Sequence, residues 1–161
     1  MDIVFEKMQV GDIPAAVKLF AKLKEERAEV SFAEVLDEEA MREWFNNPSY
    51  YLYVAKSNGK LGAVFRCMRG ESYKNHSGFL TIAVDPEFRG KHMASSFTRY
   101  CLDQLKNEGI QLVRAYIYSD NIPSINTVLK CGFTLSGNVY KHHYKEDKGY
   151  YVDDLIFHKE L

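Results

Sequence analysis

Thr81-Ile-Ala-Val-Asp-Pro-Glu-Phe-Arg-Gly-Lys-His-Met-Ala-Ser-Ser96 is the stretch that decides the fold. It opens as an apolar strand, stops at Asp85-Pro86, crosses a short basic loop holding Gly90, and continues as a helix. A strand–loop–helix of this kind aims the unpaired first-turn amides of the helix at one point in space. Hydrogen bonding and the helix dipole together make that point attractive to a phosphate. Arg89 and Lys91 add positive charge beside it.

Working outward on the N-terminal side, Phe79 to Val84 supplies the strand, and Arg69 to His76 is a polar connection before it. Tyr50–Lys56 and Leu61–Met68 read as two further strands joined at Asn58-Gly59, a strong short hairpin signal. Upstream, Ile3–Met8 has the composition of a strand. Asp12 is placed as the N-cap of a helix whose Ile13, Ala16, Val17, Phe20 and Leu23 share one face. A second helix starts at Asp37 and turns Met41, Trp44 and Phe45 inward, ending near Pro48. Ser31, Phe32 and Glu34 fall in the connection between these helices.

On the C-terminal side, Phe97, Tyr100, Cys101, Leu102 and Leu105 give the next helix its buried face, and Gly109 ends it. Leu112–Tyr118 is a strand, and Asn121 opens a short helix closed by Gly132. Two last strands, about Phe133–Tyr144 and Tyr150–His158, flank the charged turn Lys145-Glu-Asp-Lys-Gly149. The order β-α-α-β-β-β-α-β-α-β-β predicts an α/β (α+β) mixed sheet of about seven strands, with helices on both faces and one domain over residues 1–161.

Two motifs carry a resemblance. Val84, Pro86, Arg89 and Ala94 fit motif A of the GCN5-related N-acetyltransferases (GNAT superfamily), with His92 in place of its central glycine. That position favours a left-handed backbone, which His accepts better than most residues. Asn121-Ile-Pro-Ser-Ile-Asn-Thr-Val-Leu-Lys-Cys-Gly-Phe133 resembles motif B through Asn121, Ser124, Ile125, Lys130, Gly132 and Phe133. The element order is also that of the GNAT fold.

The resemblance implies that acetyl-CoA is the cosubstrate. Its pyrophosphate would sit on amides of Arg89, Gly90, Lys91, His92, Met93, Ala94 and Ser95. Its pantetheine arm would lie along the main chain of Ile82, Ala83 and Val84, with Asn121 and Ser124 contacting it from the short helix. It implies direct attack by an amine, with the Val84 N–H polarising the acetyl carbonyl. His76 and Tyr118 are candidates for the group that takes the amine's proton. The Tyr that usually protonates the departing thiolate is replaced by Val128. The hydroxyl then comes from elsewhere, water does the work, or turnover is slow. Glu25, Glu26, Glu29 and Glu34 lie where the family builds acceptor specificity.

Composition bounds the function. The chain is 46% hydrophobic and 27% charged with a net charge of −1, which is ordinary for a globular protein and lacks the basic excess of a nucleic-acid binder. No apolar run approaches the ~20 residues of a membrane span, and no secretory leader is expected at the N-terminus. Cys67, Cys101 and Cys131 read as free buried thiols of a cytoplasmic protein. His142-His143 and Asp153-Asp154 are read as half-exposed strand residues, since neighbours on a strand face opposite ways; no metal is expected.

The reading is therefore an N-acetyltransferase acting on a primary amine of a small molecule. The alternatives are a protein or peptide N-acetyltransferase and a weakly catalytic acyl-CoA-binding regulatory domain. Monomer and homodimer both stay open.

Overall fold

The computed structural model describes residues 2–26, 37–90 and 92–161. Its elements are β1 (Ile3–Lys7), α1 (Ile13–Glu25), α2 (Glu38–Asn46), β2 (Tyr50–Ser57), β3 (Lys60–Arg69), β4 (Ser77–Val84), α3 (Met93–Asn107), β5 (Leu112–Tyr118), α4 (Ile122–Lys130), β6 (Thr134–Lys145) and β7 (Tyr150–Glu160). The strands form one seven-stranded sheet in the order β1-β2-β3-β4-β5-β7-β6. All neighbours are antiparallel except β4 and β5. The expected mixed sheet with helices on both faces is what the chain builds.

Local chemistry accounts for the elements. The turn between β2 and β3 has Asn58 at φ 49° and Gly59 at φ 77°, the pair of left-handed residues that a tight twisted hairpin needs. On α3, Met93, Phe97, Cys101 and Leu105 recur every four residues and are all buried. They pack with Phe65, Val113, Val128 and Phe157 in a core on the α3/α4 side of the sheet. A second core on the other side joins Phe20 and Leu23 of α1 and Met41 of α2 to Leu52, Val54, Val64 and Ala83. Full burial of one such aromatic or aliphatic side chain contributes about 1.5–3 kcal/mol.

Two local expectations change. Asp12 does not cap α1 with its side chain, because its own backbone is already helical (φ −83°, ψ −14°). Its carboxylate instead accepts from the Gln9 N–H at 2.9 Å and pairs with Lys56 at 2.7 Å. In β6, Val139 faces Asp154 but His143 faces Val152, so residues 140–142 bulge out opposite Asp153. Asp153 holds that bulge, accepting from the Lys141 N–H at 2.8 Å and the Asn138 side-chain amide at 2.9 Å. The alternation rule that separates the faces of neighbouring strand residues is therefore broken between Val139 and His143.

Candidate active site

The parallel strands β4 and β5 pair only where Ser77–Phe79 lies beside Leu112–Arg114. Beyond that point each keeps its outer neighbour: β4 stays on β3 as far as Val84 opposite Ala63, and β5 stays on β7 as far as Tyr118 opposite Asp154. A gap thus opens between the two central strands, widening toward their C-terminal ends.

Backbone parity says which groups face it. The Asp85 N–H donates to the Gly62 carbonyl at 2.9 Å, so Asp85 faces β3. Alternate residues of an antiparallel strand face the same neighbour. Ala83 and Thr81 therefore also turn their main chain to β3, while Leu80, Ile82 and Val84 turn theirs into the gap. Ile82 and Val84 have the direction that an extended arm would need. Ala83 does not, and this corrects its inclusion: three consecutive strand residues cannot all face one side. Ala83 is instead a buried member of the α1/α2-side core.

The loop after β4 is braced from several directions. The Asp85 carboxylate accepts from the Glu87 N–H and from Lys22 of α1, each at 2.9 Å, and fixes the turn Pro86–Phe88. Burial works against ionisation of Asp85, but Lys22 and the Glu87 amide outweigh it and hold the carboxyl below its usual range. Lys60 and Lys22 both pair with Glu87. Phe88 is buried against Gly62, where an added Cβ would come within 2.5 Å of its ring. Neither Lys22 nor Gly62 carries a local signal of this role, because both partners are distant in sequence.

The loop itself has Gly90 at φ 80° and His92 at φ 56°, ψ 10°. His92 takes the left-handed conformation expected at its position and is exposed. α3 follows directly. Ser96 N–H is bonded to the His92 carbonyl at 3.2 Å. By helix geometry the amides of Met93, Ala94 and Ser95, one turn earlier, have no acceptor within the helix. The Met93 side chain anchors this turn in the core, and the Ser95 hydroxyl donates to the His92 carbonyl at 3.0 Å. The Arg89 guanidinium reaches back to the Val84 carbonyl at 3.4 Å and lies 3.7 Å from Glu26. Glu26 therefore lies beside the loop. Lys91, Glu29 and Glu34 lie outside the described residues.

Across the gap, Asn121 caps α4 by accepting from the Ser124 N–H at 3.3 Å. Gly132, at φ 85°, ends the helix with the Phe133 N–H bonded to the Val128 carbonyl at 3.0 Å. Val128 is buried in the α3/α4-side core. The corner before α4 is pinned by Asp120, whose carboxylate takes Lys145 at 2.6 Å, Lys148 at 3.4 Å and the Tyr150 hydroxyl at 2.9 Å. Burial opposes its ionisation, and Lys145 and Tyr150 reverse the effect, keeping this carboxyl low. Lys145 is buried.

The two proton-acceptor candidates separate. Tyr118 ends β5 at the wide mouth of the gap, its ring stacked on His143 at 5.4 Å and 5°, with the Lys145 ammonium 5.7 Å away. His76 precedes β4 and is exposed; its carbonyl accepts from the Gln111 and Leu112 N–H groups in the closed part of the sheet. It stands about 25 Å of strand from the Val84 end. This is a correction: a polar histidine beside a strand is easy to see in sequence, but which end of the strand opens is not.

The comparisons with known proteins agree with this geometry. Residues 17–133 match the Acetyltransferase (GNAT) family. The chain belongs to the GNAT acetyltransferase family. A putative phosphinothricin acetyltransferase, YwnH, of Bacillus subtilis (strain 168) is 30% identical over 127 residues, 76% of this chain and 78% of that protein. A solved structure titled a putative phosphinothricin N-acetyltransferase is 26% identical with a TM-score of 0.84, covering 99% of both chains. Another, yncA of Salmonella typhimurium with its cofactor acetyl-CoA, superposes with a TM-score of 0.88 at 18% identity, covering 99% of this chain and 94% of that one. GNAT enzymes take their acetyl group from acetyl-CoA. The residues present fit that group, since the gap offers outward-facing main chain from Ile82 and Val84, and the first turn of α3 offers converging amides. No helix among the described residues is long and apolar enough to cross a membrane.

Proposed function

We propose that the protein transfers the acetyl group of acetyl-CoA to a primary amine of a small molecule. The observation that carries this reading is the split sheet, with Ile82 and Val84 facing the gap and the first turn of α3 at its mouth. Acetyl-CoA supplies the activated thioester. Gly90, His92, Met93, Ala94 and Ser95 hold its diphosphate largely through main-chain N–H groups, while Arg89, whose own N–H donates to the Pro86 carbonyl at 3.2 Å, contributes its guanidinium charge. Ile82 and Val84 bind its arm like an added strand, and the Val84 N–H is the candidate donor to the acetyl carbonyl. Asn121 and Ser124 border the arm from α4. The small-molecule acceptor is supported by the 30% identity to a protein named for phosphinothricin.

Transfer is direct. A covalent relay would need a thiolate at the gap, and the three cysteines are all buried. Burial pushes the Cys67 thiol up to about 12 and raises those of Cys101 and Cys131. They stay protonated at neutral pH, consistent with a protein of the reducing cytoplasm. Val128 offers no proton to the departing thiolate, so water or a neighbouring hydroxyl does so.

Thiol release from acetyl-CoA, measured against a panel of amines that includes phosphinothricin, spermidine and glucosamine, tests the proposal. Release that depends on one amine class supports it. Tight acetyl-CoA binding with no release for any amine would favour a regulatory domain instead.

A further inference from the structure

We infer that Asp154 is the carboxylate that takes the proton from the acceptor amine, an inference that rests on the acetyltransferase reading above. Ile117 and Leu155 pack into the α3/α4-side core. Their neighbours Tyr118 and Asp154, directly opposite each other, therefore share the other face. The α3 turn that would hold the diphosphate is on the first face, so an amine meeting an arm laid through the gap arrives from the second. On that face α1 and α2 pack over β3 and β2. Tyr116 of β5 is 47% exposed there, which leaves this half open to an acceptor.

The neighbouring carboxylates are already occupied. Asp120 is held by Lys145, Lys148 and Tyr150, and Asp153 by Asn138 and the Lys141 N–H. No hydrogen bond or ion pair reaches the Asp154 carboxylate from the described residues, although it is half-buried. Its burial raises its pKa, offset only in part by His142 across the strand pair. A carboxylate raised in this way is a better proton acceptor near neutrality. Asp154 is one strand spacing, about 5 Å, from the strand that borders the gap. An amine at the mouth lies on the far side of β5, so the proton passes between the two through water.

In the step, an ammonium R–NH3+ gives one proton through that water to Asp154, and the freed nitrogen lone pair forms the N–C bond to the acetyl carbonyl. The C–S bond breaks. The second nitrogen proton ends on the thiolate, and Asp154 returns its proton to solvent. The overall yield is one amide, one thiol and one H+.

The test compares wild type, Asp154→Asn and Asp154→Ala in CoA release with the best amine of the panel, alongside the thermal shift given by acetyl-CoA. Both substitutions should lower kcat by at least about 100-fold, the lower end of the range for general-base catalysis. KM for amine and for acetyl-CoA should stay within about threefold, and the acetyl-CoA shift should persist. Added formate should restore at least about fivefold of the lost kcat to Asp154→Ala. A kcat within about twofold of wild type in Asp154→Asn, or no formate rescue of Asp154→Ala, would overturn the assignment. Wild type that shifts with acetyl-CoA but accepts no amine would overturn it together with the transferase reading beneath it. A wild type with no acetyl-CoA shift would instead remove the transferase reading beneath it.

Discussion

The two borders of the β4–β5 gap are built on different principles. On the β4 side, what faces the gap is main chain, and side chains such as Asp85, Lys22, Glu87 and Phe88 serve to hold that main chain in place. On the β5 side, the exposed chemistry is side chain: Tyr118 against His143, Asp154 beside His142, and Tyr116 in the open. The comparison teaches where identity matters. A diphosphate and an amide-bearing arm are the same in every turnover, and backbone groups in fixed positions suffice for them. An acceptor varies, and only side chains can vary with it.

A large effect on binding should come from breaking the brace on the β4 side. Gly62→Val would push its Cβ into the Phe88 ring, and overpacking of this kind costs about 1–3 kcal/mol. Because Phe88 seats the loop, acetyl-CoA affinity measured by calorimetry should fall by at least about 30-fold, beyond the loss of melting temperature. Retained affinity would mean that the loop does not depend on that seat.

On the β5 side, Lys145→Met should act mainly on stability. It leaves the Asp120 charge without its buried partner, a change worth about 3 kcal/mol. For a chain of this size the melting temperature should drop by about 6–12 °C. The same carboxylate predicts the pH profile of wild type. The folded pKa of Asp120 lies below its unfolded value of about 3.9, so its contribution is complete above that value. It is lost as pH falls through the lower, folded value. Asp85 behaves alike. Unfolding midpoints should therefore be flat from neutrality to about pH 5 and decline below about pH 4, with a shallower decline in Lys145→Met.

The smallest effect sharpens the comparison. His92→Gly should leave acetyl-CoA affinity within about threefold, because glycine accepts the left-handed backbone at φ 56° and the binding groups are amides. A large loss would assign the imidazole itself to the ligand.

How much was legible follows the same division. Residues 81–96 and Asn121–Phe133 revealed the strand–loop–helix elements because local patterns dictate them: apolar runs, turn residues, a capping Asn and a closing Gly. The left-handed His92 was legible through the resemblance, because it stands where motif A has its central glycine. Ala83 was misjudged because strand parity depends on the register with β3, which no local pattern contains. His76 was misjudged because the sheet splits at one end only. Asp154 looked like a metal-ligand candidate of little promise, since its meaning comes from β7 inserting between β5 and β6. Long-range pairing, more than residue type, is what the sequence withholds.

The proposed grip of the α3 first-turn amides on a diphosphate is open to titration calorimetry of CoA into wild type and Ala94→Glu, with circular dichroism to establish that the variant is folded. A carboxylate at Ala94 would crowd and repel the diphosphate, and the account predicts at least about 100-fold weaker binding, on the order of 3 kcal/mol. Unchanged CoA affinity in the folded variant would contradict it.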